Sequence, residues 1–158
     1  MWWNTATTRP WSCIRHCGRA RSSTVPQDRR VPGSAEDWLA RAKGDLALAK
    51  VPLPPEALYE DLCFHAQQAA EKAIKAIYRH RALAFRYTHD LAELLAGLKE
   101  HGVEVPPAVE EAQVLTTYAW EARYPGLGEP VEEPEYRRAV ELAERVVRWA
   151  EELVVRRP

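Results

Sequence analysis

From Ser34 onward the apolar residues recur every three or four positions, and Pro or Gly cuts each run short. A repeat near 3.6 lines such residues along one side of an α-helix, whereas a half-buried strand alternates at period two. No stretch of comparable length alternates. The sequence therefore predicts an all-α fold, an up-and-down antiparallel helical bundle of four to five helices with short connections.

The punctuation sets the expected limits. Ser34-Ala-Glu-Asp37 has the spacing of a capping box, and Trp38, Leu39, Ala42, Leu46 and Ala49 carry a first helix to the Pro52–Pro55 break. A second helix is expected from about Pro55 to Ala82, since Pro suits a first turn. Thr88 is expected to cap a third, with Leu91, Leu94, Leu95 and Leu98 on its apolar side and Gly102 as its stop. Pro106 and Pro107 open a fourth, with Ala108, Val109, Ala112, Leu115, Ala119 and Ala122 on one side and Pro125-Gly126 beyond. The fifth, from about Glu133 to Val155, repeats Tyr136, Val140, Ala143, Val147, Ala150 and Val154 and is the cleanest pattern in the chain.

Charge divides the 158 residues unevenly. Residues 1–33 hold six arginines against the single acid Asp28, whereas residues 34–158 hold 16 basic and 22 acidic side chains. Residues 1–33 are expected to be a disordered basic tail, or translation from a start set too far upstream, and residues 34–158 the bundle domain. An acidic domain does not bind long nucleic acid by charge alone, although a local basic stripe can still hold a phosphate. The domain lacks Asn and Met and prefers Arg and Glu to Lys, which fits a thermophile or a GC-rich genome. The three cysteines, Cys13, Cys17 and Cys63, do not suit a disulfide framework and imply a reducing compartment. No apolar run approaches the roughly 18 residues of a membrane span, and the tail lacks the apolar core of a secretory signal. A cytoplasmic protein with no membrane association is expected.

The second helix is the most informative. Steps of 100° put Leu58, Leu62, Ala66, Ala69, Ala70, Ala73, Ile74 and Ile77 on one broad arc. The opposite arc holds Asp61, His65, Gln68, Lys72, Lys75 and Arg79, bordered by Glu60, Gln67 and Glu71, with Phe64 and Tyr78 among them. A Phe among amides and charges suggests a second protein surface, most simply the same helix of another copy. Phe64, His65, Gln68, Glu71 and Tyr78 are the expected dimer contacts. The alternative is a solvated face on which Glu71 and Lys75 form an (i, i+4) pair.

Three segments resemble a known family. Cys63-Phe-His-Ala-Gln-Gln-Ala-Ala-Glu-Lys-Ala-Ile-Lys-Ala76 is similar to the signature second helix of prokaryotic HEPN (higher eukaryotes and prokaryotes nucleotide-binding) proteins. Thr88-His89-Asp90-Leu91 resembles the start of that family's next helix, and Ala122-Arg123-Tyr124-Pro125 the Arg-Tyr-Pro segment after its fourth. The likeness spans about residues 34–155, in order and in register. It implies a dimerising bundle, often encoded beside a minimal nucleotidyltransferase in toxin–antitoxin-like modules.

Some members of that family are metal-independent ribonucleases in which four to six residues separate an Arg from a following His. There His shuttles a proton at the ribose hydroxyl while Arg steadies phosphate charge. This domain lacks that spacing: Arg79, Arg81 and Arg86 are not so placed before His80 or His89, and His101 is the last histidine. The expectation is a non-catalytic member that binds a nucleotide, RNA or a protein partner. A divergent ribonuclease and a purely structural dimer are the alternatives. Arg123 is the first candidate ligand residue, because its planar fork suits phosphate and Tyr124 adjoins it; its alternative is a structural ion pair with Glu71. His89, in the first turn of a helix, stands where exposed N–H groups favour phosphate. Gln68, Lys72 and Lys75 are expected to line a groove at the contact between copies, or only to zip the dimer.

Other chemistry is not indicated. Cys13, His16 and Cys17 lack the second ligand pair a zinc site needs. Cys63 falls on the core side of its helix, and His101 with Glu104 reads as helix capping. No phosphate-binding glycine loop or nucleophile elbow occurs, and neither a metal nor a cofactor is expected.

Overall fold

The computed structural model describes residues 33–121 and 129–155, so the tail through residue 32, the segment 122–128 and the last three residues lie outside it. The described residues are helical, with no strand among them. Helix α1 (Ala35–Ala49) is followed by α2 (Tyr59–His80), α3 (Leu91–Glu100) and the short α4 (Pro107–Glu110). A 3-10 segment (Glu111–Thr117), α5 (Tyr118–Glu121) and α6 (Glu133–Val155) complete the order.

The caps follow from the sequence in most places. Ser34 Oγ accepts from Asp37 N at 3.1 Å while Asp37 Oδ2 accepts from Ser34 N at 3.3 Å, the reciprocal box. Gly102 ends α3 at φ +77°, where an L side chain would be strained. His101 Nδ1 lies 2.7 Å from Gly97 O, in keeping with its capping role. Three expected limits are corrected. Helix α2 begins at Tyr59 because Ala57 N closes a turn on Pro54 O and Asp61 Oδ2 takes Leu58 N; it ends before Ala82, which sits at φ 55°. Asp90, not Thr88, caps α3, while Thr88 Oγ1 accepts from Asp90 N at 3.1 Å.

The third correction concerns the fourth helix, which is not continuous but breaks into α4, the 3-10 segment and α5. Val114, Thr116 and Thr117 are β-branched and lower α-helical propensity there. Thr116 Oγ1 is also committed to Leu91 N of α3 at 3.1 Å.

Helix α2 runs through the middle. Thirteen of its 22 residues are buried, so it is packed on most sides, chiefly by α1 and α6. Small residues at Ala66, Ala69, Ala70, Ala73 and Ala76 permit that close approach, while Ile74 and Ile77 fill the space between them. Burying each such Ile stabilises by about 1.5–3 kcal/mol. The 81–90 segment turns back along α2: Leu83 N meets Tyr78 O, Lys75 Nζ meets Thr88 O, and Gln67 Nε2 meets His89 O. Helix α3 then advances beside α2 again, and Tyr78 donates its hydroxyl to Leu94 O at 2.7 Å. Gly97 makes this docking possible, since a Cβ there would stand 2.3 Å from the Tyr78 hydroxyl.

Candidate functional site

The polar side of α2 organises two nodes of the same chemistry, each a carboxylate holding one lysine and one imidazole. In the first, Asp45 of α1 takes Lys72 Nζ on Oδ2 and lies 3.2 Å from His65 Nδ1 on Oδ1. In the second, Glu71 takes Lys75 Nζ at 2.7 Å and lies 3.0 Å from His89 Nδ1. The (i, i+4) pair read from the sequence exists, but it is buried rather than solvated: the Glu71 and Lys75 side chains are 5% and 7% exposed.

A carboxylate taken out of water must be fully bonded. Gln67 Nε2 donates to Glu71 at 3.0 Å, and Gln68 Nε2 approaches it at 3.4 Å while bonding Gln67 Oε1 at 2.8 Å. Burial pushes the Glu71 carboxyl up, yet hydrogen bonds from Lys75, Gln67 and His89 and the Lys75 charge outweigh it, so its pKa falls below 4.5. Lys75 is itself enclosed. Its Nζ lies 5.4 Å from the centre of the Phe85 ring and 5.9 Å from that of Trp38, cation–π distances, and it donates to Thr88 O at 3.2 Å.

The structure brings Lys75, Glu71 and His89 together in one node and Lys72 and His65 in the other. Phe64 is half-buried beside His65, ring centres 5.8 Å apart, and Gln68 is half-buried as well. Tyr78 is separate. Angular counting puts it on the polar arc, but it is 3% exposed and packs against α3 and Phe85, where burial first, then the charges of Glu100 and Glu93, raise its pKa. Arg123 and Tyr124 lie outside the described residues. Among the described residues the partners of Glu71 are Gln67, Gln68, Lys75 and His89.

The phosphate role expected of His89 needs correction in its physical basis. Its helix start has no idle donors: Asp90 N goes to Thr88, Leu91 N to Thr116, and Ala92 N and Glu93 N to Asp90 Oδ1. What His89 and His65 share is an Nδ1 within hydrogen-bond reach of a carboxylate, which fixes how each ring is turned. Sequence reading missed Asp45 and Gln67 as organisers. Asp45 carried a signal, since it continues the Trp38–Ala42–Ala49 register of α1 and is a carboxylate on a packed side. Gln67 had none, because an amide on the border of an arc looks solvated.

An open cleft of about 530 Å³ lies between the 3-10 segment, α5 and the approach to α6, lined by residues that include Val114, Tyr118, Pro130 and Glu135. It does not include the two nodes. No group of three or more His, Cys, Asp or Glu side chains among the described residues is arranged to hold a metal ion. No helix among them is long and apolar enough to cross a membrane.

Comparison with known proteins gives consistent results. The HEPN domain profile matches residues 35–153. The crystal structure of TT1696 from Thermus thermophilus is similar at 32% identity and a TM-score of 0.64, covering 77% of this chain and 98% of that one. The crystal structure of ST0689, an archaeal HEPN homologue, is similar at 26% identity and a TM-score of 0.60, with the same coverage of each. No curated protein matches the chain.

Proposed function

Given that the chain belongs to the HEPN domain family, we propose that it is a non-catalytic member acting as a dimeric binding component. It holds a nucleotide or a protein partner, and its partner is a minimal nucleotidyltransferase within a toxin–antitoxin-like module. The observation that carries this reading is the state of two imidazoles, His65 of α2 and His89 of the 81–90 segment. Each is tied through Nδ1 to a carboxylate that also holds a lysine. Proton transfer at a ribose needs an imidazole beside an arginine that meets the phosphate. Instead these rings have structural partners, and the Arg-to-His spacing of the family's ribonucleases is absent from residues 34–158.

The open part of the α2 surface, Phe64, His65, Gln68 and Lys72, supports a contact with a second copy, because it combines one large apolar ring with satisfied polar groups. Arg123 and Tyr124 remain the proposed ligand residues of the segment before α6. The protein is proposed to act in the cytoplasm, and its Arg- and Glu-rich composition supports a thermophilic setting.

Co-expression with the product of the adjoining gene tests the pairing: a stoichiometric complex is expected. Nucleotide added to the purified protein should raise its melting temperature, since a ligand that binds only the native state stabilises it. RNA cleavage by the pure protein, lost on Arg123→Ala, would overturn the non-catalytic reading.

A further inference from the structure

Charge lies along this chain in two opposed blocks. Residues 101–136 hold eight glutamates and one basic residue, Arg123, whereas residues 1–33 hold six arginines and one acid. The acidic block contains the break in the fourth helical region. A 3-10 segment has three residues per turn, so Val114 and Thr117 stand one above the other, with Trp120 three residues beyond. Val114 and Trp120 are 58% and 54% exposed. Single exposed apolar residues are common, but Val114 borders two adjoining hollows. One is the cleft of about 530 Å³ described above, whose carboxylates are Glu129, Glu132 and Glu135. The other, of about 370 Å³, is mainly apolar, with Leu115, Pro134, Ala139 and Leu142 in its lining. The two share Val114, Tyr118 and Glu135 and so form one groove.

The neighbouring cations are engaged elsewhere. Arg137 pairs with Glu133, and Arg138 with Glu111 and Glu141. Glu135 Oε2 accepts from Glu132 N at 2.9 Å, which caps α6 but leaves the carboxylate charge unmatched. Such a rim repels a nucleic-acid backbone or an acidic segment. It suits a protein segment that carries arginines beside a large apolar side chain.

We propose that this groove receives the N-terminal segment of the same chain, with Trp11 in the apolar hollow and Arg9 and Arg15 against Glu129 and Glu132. Trp11 stands between the two arginines, and no acid precedes Asp28. Open ion pairs contribute little, so the indole is the anchor and the arginines set its direction. The chain is long enough. Gly33 lies at the C-terminal end of α2, where its carbonyl accepts from Arg79 Nε at 2.8 Å. The groove lies near the other end, where Val131 N donates to Glu60 Oε1 at 2.9 Å. The 22 residues of α2 span about 33 Å. The 17 residues between Arg15 and Gly33 reach about 55 Å when extended. A tether of this kind holds the segment at an effective concentration near the millimolar range, which favours it over a foreign segment of the same chemistry. The contact goes beyond the binding role proposed above: it depends on neither residues 123–124 nor a second copy.

Paramagnetic broadening in the full chain tests it, with a nitroxide on Cys13 of the Cys17→Ser variant; the remaining cysteine, Cys63, is buried. At low salt the amide signals of Val114, Thr117, Tyr118 and Val131 are expected to be lost relative to a diamagnetic label. Glu129→Lys with Glu132→Lys should restore them at an unchanged melting temperature, because both side chains are exposed. Trp11→Ala should restore them too, and it lies outside the matched domain, so it cannot act by unfolding the bundle. Salt at about 1 M, which screens charges beyond roughly 3 Å, should weaken the broadening. Signals lost only beside Gly33, or a loss indifferent to Trp11→Ala or to the paired glutamate changes, overturns the contact. So does loss on an isotope-labelled, spin-free chain mixed with a spin-labelled one, which would assign the groove to the segment of another copy. Those results leave the proposed function standing, because no part of it rests on this groove, whereas failure to pair with a nucleotidyltransferase leaves the contact untouched.

Discussion

The Asp45 node and the Glu71 node use the same three kinds of side chain at different depths. Asp45 and its lysine are 12% and 24% exposed and join α1 to α2, with water close at hand. Glu71 and its lysine are 5% and 7% exposed, and together they hold the returning 81–90 segment against α2. At the first node a lost partner can be replaced by water. At the second it cannot, so the buried group needs every bond it has: two amides, a lysine and an imidazole. One arrangement can therefore serve a surface, while the other fixes the fold.

The largest test of that contrast is to remove each lysine. Lys75→Met should leave Glu71 buried without its counter-charge and cost roughly 3–5 kcal/mol of unfolding free energy in chemical denaturation. Lys72→Met should cost under about 1 kcal/mol. Equal losses would abolish the distinction between the nodes.

Next in size is Gly97→Ala, which asks whether α3 docking helps the Glu71 node to hold the segment. The added methyl meets the Tyr78 hydroxyl at 2.3 Å, so a loss of about 1–3 kcal/mol is expected. Tyr78→Phe in the same chain removes the clashing oxygen and leaves the ring carbon 3.5 Å away, an ordinary contact. Adding it should recover stability despite the lost bond to Leu94 O. Further loss in the double variant would show that the hydroxyl is not the obstacle.

Acid sharpens the comparison. The folded Glu71 carboxyl has a pKa below its ordinary 4.5, so its stabilisation is complete above that value and disappears as pH falls through the lower folded value. Glu71→Gln should therefore flatten the acid limb of a stability–pH profile, and an unaltered limb would contradict the assignment. The smallest expected effect is His65→Ala, under about 1 kcal/mol and reduced further by salt, because its pair with Asp45 is partly hydrated.

Much of the architecture was legible. The first helix starts at its capping box and the last begins at Glu133, as the apolar repeat predicts, because each buries one continuous stripe. The fourth region departs from its repeat for a reason the repeat does not encode: Thr116 spends its hydroxyl on the start of α3. The Glu71–Lys75 part of the polar arc of α2 lies deeper than angular counting implies. Counting angles locates Lys75 and Glu71 on a face, but that face is covered by Phe85 and Thr88, delivered by a segment that turns back over it. The candidate residues read on α2 thus divide between two nodes at different depths, a division that angular counting does not give.

Periodicity and punctuation alone settled that this chain makes a helical bundle, since the side-chain spacing of a helix is a local property written every few residues. Which polar groups lie in water and which are sealed depended on where the 81–90 return path falls. That path is chosen by distant contacts, among them Trp38 on Phe85, Gln67 on His89 O and Gly97 under Tyr78, and their combined free energy exists only once the helices have met.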